Sequence, residues 1–261
     1  MAAAPGDTPG VPFPTSDRKP HPGPVPGQMM SNNTSTRNHL LSALPEEELA
    51  EFRSILTPVS LSHKQVIHEK NIPIDDVYFI EQGVTSVLTV MSDGGMSEVG
   101  MIGAEGMAGM SALLGAEASA HRIIVQVPGS ALRMNAALCK ASFDHGSAFH
   151  QIVLRFVDTF LSLSAQTAAC NLLHSAEQRC ARWLLMASAR MRSDTMPMTH
   201  EFLSSMLGIR RTGVTAIAGA LQRAGLIQYH RGRIRITDRD GLVAAACECY
   251  RSDRERIGDP P

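Results

Sequence analysis

The sequence predicts an α+β protein: an N-terminal β sandwich or barrel, a long helix, then two short helices followed by a basic hairpin. Three observations predict it. Short β-prone runs alternate with Gly, Pro and Asp punctuation between Pro58 and Leu132. Apolar residues then recur in a heptad rhythm from Phe149 to His174, and Met198–Thr237 combines helix caps, apolar faces and arginines. The chain has 261 residues, room for two modest domains at roughly 100–200 residues each. Only 5% of its residues are aromatic, so the cores must rest on Leu, Ile, Val, Met and Ala.

Residues 1–37 hold eight of the fifteen prolines. Such a segment cannot bury enough apolar surface to offset its chain entropy, which predicts a disordered tail. Leu40–Leu56 reads as short helices, the second opened by Pro45 and three glutamates that suit the positive end of a helix dipole. The β-prone runs are Lys64–His68, Val77–Ile80, Val84–Val90, Glu98–Ile102 and Arg122–Val127. Ser92-Asp93-Gly94-Gly95 makes a hairpin turn, since glycine supplies the positive φ that such turns need.

A long helix is predicted from Ala148 to about Leu173. Phe149, Val153, Phe156, Phe160, Leu163, Thr167, Cys170 and His174 follow one another at alternating steps of 4 and 3, a seam that suits a partner helix. Two readings stand: the seam pairs with a second copy, or it packs on the chain's own β domain. A further helix spans Ala176–Met191, and Ser193–Pro197 breaks the chain.

In the last region Thr199 caps a helix whose apolar pairs are Phe202/Met206 and Leu203/Leu207, and Gly208 ends it. A second helix starts near Arg210 with Val214, Ile217, Ala218 and Leu221 on one face and Arg211, Thr212, Thr215, Ala216 and Gln222 off it. Ile227–His230, the turn Arg231-Gly232 and Arg233–Thr237 form a hairpin with isoleucines on one side and arginines on the other. Two helices joined by a Gly-containing turn and followed by a basic hairpin are a winged helix-turn-helix. Charge agrees: residues 38–150 carry thirteen acidic against six basic side chains, whereas residues 199–237 carry six arginines against Glu201 alone.

Other functions find little support. There is no Gly-Lys-Ser/Thr phosphate loop, His-Glu-X-X-His or Gly-X-Ser-X-Gly, so no enzyme is expected. The five cysteines are scattered, unlike a disulfide framework. Cys247-X-Cys249 has no His at ligand spacing, His145, His150 and His174 read as solvated or interface residues, and Cys170 reads as a small buried one. Met101, Met107 and Met110 read as core filler. No apolar run approaches the ~18–20 residues of a membrane helix, and Met1-Ala-Ala-Ala-Pro5 does not resemble a signal peptide, so the cytoplasm is expected.

Over about Asn38 to Tyr250 these elements resemble a Crp/Fnr-family transcription regulator. Tyr78-Phe79-Ile80-Glu81-Gln82-Gly83 is similar to the family's β-roll segment, Leu207–Thr215 to its turn and recognition helix, and Leu226-Ile227 with Arg231-Gly232 to its wing. The resemblance implies a cyclic-nucleotide-binding-like β-roll (a jelly roll) over 38–147, a dimerisation helix over 148–175, a winged helix-turn-helix over 176–250 and a flexible tail over 251–261. It implies a homodimer on a two-fold symmetric operator in double-stranded DNA, in contact with RNA polymerase. Arg211 matches the family's leading arginine, which reads guanine through a bidentate fork, while Thr212 and Ala216 depart from the pattern. Arg210, Arg211, Thr212, Thr215, Arg231 and Arg233 form the expected DNA-binding set, and Val153, Phe156, Phe160, Leu163 and Thr167 the expected dimer interface. The effector pocket falls on Ala108, Gly109, His121 and Arg122: Ala108-Gly109 and Ala120-His121 stand where cAMP-binding members carry their ribose-binding Gly-Glu and phosphate-binding Arg-Ser/Thr pairs, and Arg122 comes one position late, so cAMP is not expected. No cysteine precedes Cys139, so no iron–sulfur cluster or other cofactor is expected either. The rival reading is a cyclic-nucleotide-binding-like module that regulates a protein partner without touching DNA.

Overall fold

The computed structural model describes residues 36–258; the expectation of a disordered tail falls almost wholly on residues outside the described ones. The described chain opens with α1 (His39–Ser42) and α2 (Glu46–Ile55). Asn38, fully buried, accepts hydrogen bonds from the backbone N–H groups of Leu40 and Leu41 and donates through Nδ2 to the carbonyls of Ile80 (2.9 Å) and Gly106 (2.8 Å). One side chain thus caps a helix and fixes it to the sheet behind.

The β domain follows as β1 (Thr57–Leu61), β2 (Val66–His68), β3 (Asp76–Val90), β4 (Met96–Ile102), β5 (Met107–Ala108), the short α3 (Met110–Leu113) and β6 (Arg122–Asn135). They form one six-stranded antiparallel sheet in the order β1-β6-β3-β4, with β2 on β6 and β5 on β3. The long pair β3/β6 is its spine, registered from Asp76↔Asn135 to Leu88↔Arg122. Register shifts around Gln82 and Val84 bend this pair, as bulges do. The crossing is tight: a Cβ on Gly129 would lie 2.0 Å from the Gln82 carbonyl oxygen. Val77, Phe79, Ile80 and Met107 are fully buried in the core.

Then come α4 (Ala136–Asp144) and α5 (Ala148–Leu173). Glu48 of α2 receives the Phe149 backbone N–H (3.1 Å) and the Ser147 hydroxyl, so the start of α5 is capped from another element. Phe149 packs against Phe52 (4.7 Å between ring centroids) and Phe79 (6.1 Å). The structure therefore uses the predicted seam within the chain. Phe149, Val153 and Phe156 lie in the β-domain core with Phe160 packed against it; Leu163 and Thr167 face the α6 side, and Cys170 is buried against the C-terminal segment. A different stripe of α5 is exposed: Leu154, Leu161, Ala165, Ala168 and Leu172.

The C-terminal half is α6 (Ala176–Met191), β7 (Thr195–Pro197), α7 (His200–Leu207), α8 (Arg211–Arg223), β8 (Ile227–His230), β9 (Arg233–Ile236), α9 (Arg239–Ala245) and α10 (Cys249–Ile257). Ser175 and Gln178 form a capping box that starts α6 just after α5 ends. Residues 251–257, the first part of the segment read as a flexible tail, continue α10, because Asp253 is fully buried in an ion pair with Arg182 (2.6 Å).

The second core holds Leu184, Leu185, Met196, Leu203, Val214, Ile234 and Leu242, and it reaches Leu88 and Ile124 of the β domain. At this junction Trp183 Nε1 donates to the buried Glu98 carboxylate (2.8 Å), and Arg190 pairs with Glu105 (2.6 Å). Burial pushes the Glu98 carboxyl up to about 7, against the nearby Ser86 hydroxyl and the Trp183 N–H, which hold it down.

Candidate nucleic-acid interface

The Thr199 hydroxyl accepts the Phe202 backbone N–H (3.1 Å) and so starts α7. Gly208 ends it at φ +62°, the left-handed conformation that glycine adopts without strain. Arg210 takes the N-cap position of α8 without a side-chain cap, leaving the first N–H groups of α8 open. Val214, Ile217, Ala218 and Leu221 are the buried face of α8, and Arg211, Thr212, Thr215 and Ala216 lie exposed.

The wing is a three-stranded sheet in the order β7-β9-β8. Pairing of His230 with Arg233 leaves a two-residue loop, Arg231-Gly232, with φ values of +45° and +74°. Two successive positive φ angles are those of the type I′ hairpin turn. Ile227, Ile234 and Ile236 point into the core while Arg231, Arg233 and Arg235 are exposed. Helix and wing are tied by His200, whose ring stacks on Tyr229 (4.4 Å) and whose Nδ1 meets the Thr215 hydroxyl (3.0 Å). Burial, then the nearby Arg211 charge, lowers the His200 pKa, which favours the neutral ring in that position.

Among the described residues Arg210, Arg211, Arg231, Arg233 and Arg235 enter none of the ion pairs. Five exposed, unneutralised guanidinium groups lie on one helix-turn-helix and its wing. The predicted effector positions are dispersed by comparison. Ala108 and Gly109 are buried on and just after β5, and Gly109 has φ +96° with its Cα hydrogen facing the His68 ring. His121 and Arg122 start β6, where Arg122 is engaged by Glu69 (2.8 Å) and His121 lies beside Thr89. A cleft of about 240 Å³ opens elsewhere, between α1, α5 and α10, lined by residues such as His39, Arg155, Thr159 and Arg256.

The expectation that no cofactor can be held is overturned. Cys170 and His174, on the last turn of α5 and its cap, meet Cys247 and Cys249 from the α9–α10 segment. All four donor atoms lie within 4.8 Å of one another. Separation in sequence concealed the set: no local spacing links residues on either side of the helix-turn-helix. The other two histidines behave as surface residues, His145 exposed and His150 stacked on Phe143.

Residues 178–245 match the Crp-like helix-turn-helix domain, and residues 58–142 match the cyclic nucleotide-binding domain. No curated protein matches the sequence. Among solved structures the chain is similar to one assigned to the Crp/Fnr family of transcriptional regulators from Eubacterium rectale (TM-score 0.65, 17% identity, covering 80% of this chain and 98% of that one). It is also similar to FixK2 from Bradyrhizobium japonicum (TM-score 0.63, 15% identity, 74% and 98% covered). A third is CLP of Xanthomonas campestris, described as a c-di-GMP responsive global regulator (TM-score 0.62, 12% identity, 74% and 99% covered). At these identities the likeness establishes the fold. Among the described residues no helix is long and apolar enough to cross a membrane.

Proposed function

We propose that this chain, which pairs a cyclic nucleotide-binding domain with a Crp-like helix-turn-helix domain in the Crp/Fnr-type fold, is a DNA-binding transcription regulator that grips a two-fold symmetric operator as a homodimer. The observation that carries it is the set of exposed, unpaired arginines on α8 and the wing. Helix α8 presents its amino end, where open N–H groups and the helix dipole favour phosphate, to the major groove. Arg211 reads a guanine edge, with Thr212 and Thr215 beside it. Arg210, Arg231 and Arg233 hold phosphates and set the register. Operator-bound dimers then act beside RNA polymerase, in the cytoplasm.

For the dimer we assign the exposed stripe of α5. Leu154, Leu161, Ala165, Ala168 and Leu172, with Asp158 filling the place between the first two, follow the alternating steps of 4 and 3 of a two-helix seam, and are left uncovered by the chain's own domains. A two-fold axis places the same stripe opposite itself. The working division is a sensor over 38–147, a dimer helix over 148–175 and a DNA-binding unit from 176 that takes in α10.

The test is gel-shift titration across a salt series, on DNA selected from a random pool. Three phosphate-holding arginines per protomer predict a slope of log K against log salt of about −5 for the dimer. Arg211→Ala should cost about 1–3 kcal/mol and relax one position of the selected consensus. A flat salt dependence overturns the proposal and favours a protein partner.

A further inference from the structure

The nucleic-acid reading leaves unused a concentrated set of soft donors among the described residues, Cys170, His174, Cys247 and Cys249. The geometry points to a mononuclear site for a thiophilic, tetrahedral divalent cation of the Zn²⁺ type, held by the three thiolates and by His174 Nδ1.

Four observations support it. First, three cysteines and one histidine are the closed donor set of structural zinc centres. Second, the donors are already gathered: Cys170 Sγ to Cys247 Sγ is 3.5 Å, and Cys249 Sγ to His174 Nδ1 is 3.6 Å. A tetrahedron with bonds of about 2.0–2.3 Å has edges of roughly 3.5–3.8 Å, so even the widest pair closes by a shift of about 1 Å. Third, the outer partners have the right sense. His174 Nε2 faces the Glu248 carboxylate at 3.1 Å, which fixes the proton on Nε2 and leaves the Nδ1 lone pair aimed at the sulfurs. Gln166 Nε2 donates to Cys249 Sγ at 3.0 Å, a bond that suits a thiolate. Fourth, the three cysteines are at most 5% exposed, so the centre is shielded from water. An iron–sulfur cluster fits less well. Its thiolates ligate irons around the outside of a polyatomic body, whereas these converge on one point.

The site's position gives it a consequence. Cys170 and His174 lie one helical turn apart at the end of α5, immediately before the Ser175 cap of α6, while Cys247 and Cys249 bracket the start of α10. Binding releases three thiol protons to solvent and joins the long helix to the last helix by metal–ligand bonds. Occupancy therefore sets how firmly the C-terminal unit is held against α5. The inference does not depend on the DNA-binding reading.

The experiment uses the full chain, reduced, stripped with a chelator and titrated anaerobically with Co²⁺. The expected result is one Co²⁺ per chain with the intense ligand-field bands and sulfur-to-cobalt charge-transfer band of a tetrahedral thiolate site, bleached by one equivalent of Zn²⁺. Cys249→Ser should abolish those bands, and Cys139→Ser and Cys180→Ser should leave them unchanged. Glu248→Gln, at a side chain 79% exposed and so safe for folding, should keep the spectrum and weaken binding by about tenfold. Absence of the bands in the reduced wild-type chain overturns the site, as does their survival in both Cys170→Ser and Cys249→Ser. So does iron and sulfide in stoichiometric amount in anaerobically isolated protein, or a Cys170–Cys247 disulfide that forms in preference to metal uptake.

Discussion

Replacing Glu98 by glutamine should make the junction between the two halves of the chain insensitive to pH. The carboxyl is 6% exposed, receives the Trp183 indole N–H, and leaves its second oxygen without a hydrogen-bond partner. Burial raises it from 4.5 to about 7. That difference corresponds to about 3 kcal/mol at about 1.4 kcal/mol per tenfold in proton affinity. The sign follows from which state binds more protons. Below pH 4.5 both the docked and the released carboxyl are protonated, and the contribution to stability is fully present. Between 4.5 and about 7 the released carboxyl loses its proton while the docked one keeps it, so stability is progressively lost. Above 7 both are ionised and the loss is complete. The amide has nothing to titrate and still accepts from Trp183. The variant should therefore match the wild type near pH 4.5 and exceed it by up to about 3 kcal/mol near pH 8. Urea unfolding followed by the fluorescence of Trp183, the sole tryptophan, reads this directly. Wild-type and Glu98→Gln stabilities that run parallel across that range would refute the reasoning.

Three further outcomes are expected. Leu161→Glu, at a position 67% exposed in the protomer, should give monomers by sedimentation while changing protomer stability by no more than about 0.5 kcal/mol; persisting dimers would remove the exposed α5 stripe as the interface. Arg231→Ala should weaken binding to all DNA sequences alike and make the salt slope shallower by about 2 per dimer, and a changed consensus with an unchanged slope would contradict its phosphate role. Gly129→Ala would place a Cβ 2.0 Å from the Gln82 carbonyl oxygen, backbone that cannot swing aside, and should destabilise the β domain by about 3 kcal/mol or more; an unchanged thermal midpoint would contradict the tight crossing.

Helices were the most legible part of this chain. The bounds of α5 and α6 follow from apolar periodicity and from the Ser175 cap, and α7 and α8 follow from Thr199, Gly208 and the face of Val214 to Leu221. The strands were less so. Glu81-Gln82-Gly83 reads as a break between two runs, yet β3 passes through it, because register shifts absorb the irregularity that the sequence shows as punctuation. Pro128-Gly129 similarly conceals the second half of β6. Helix α5 carries a second stripe of the same period, apolar but for Asp158, and periodicity cannot say which of the two meets the helix's own domain. The aromatic contacts of Phe149 with Phe52 and Phe79 decide that, and they lie about a hundred residues away for Phe52. The Cys/His set was illegible for the same reason, since 77 residues separate Cys170 from Cys247.

Strand β7 enters the sheet before the helix-turn-helix begins and pairs with β9 after it, from Thr195↔Arg235 to Pro197↔Arg233. The stretch between them is thereby closed into a loop fastened at its own ends. A backbone cut in the turn between Leu207 and Arg211 would leave two pieces still zipped together by that strand pair and by their shared core. Helix and ribbon are thereby held in fixed relation by paired backbone as well as by the core they share with α6.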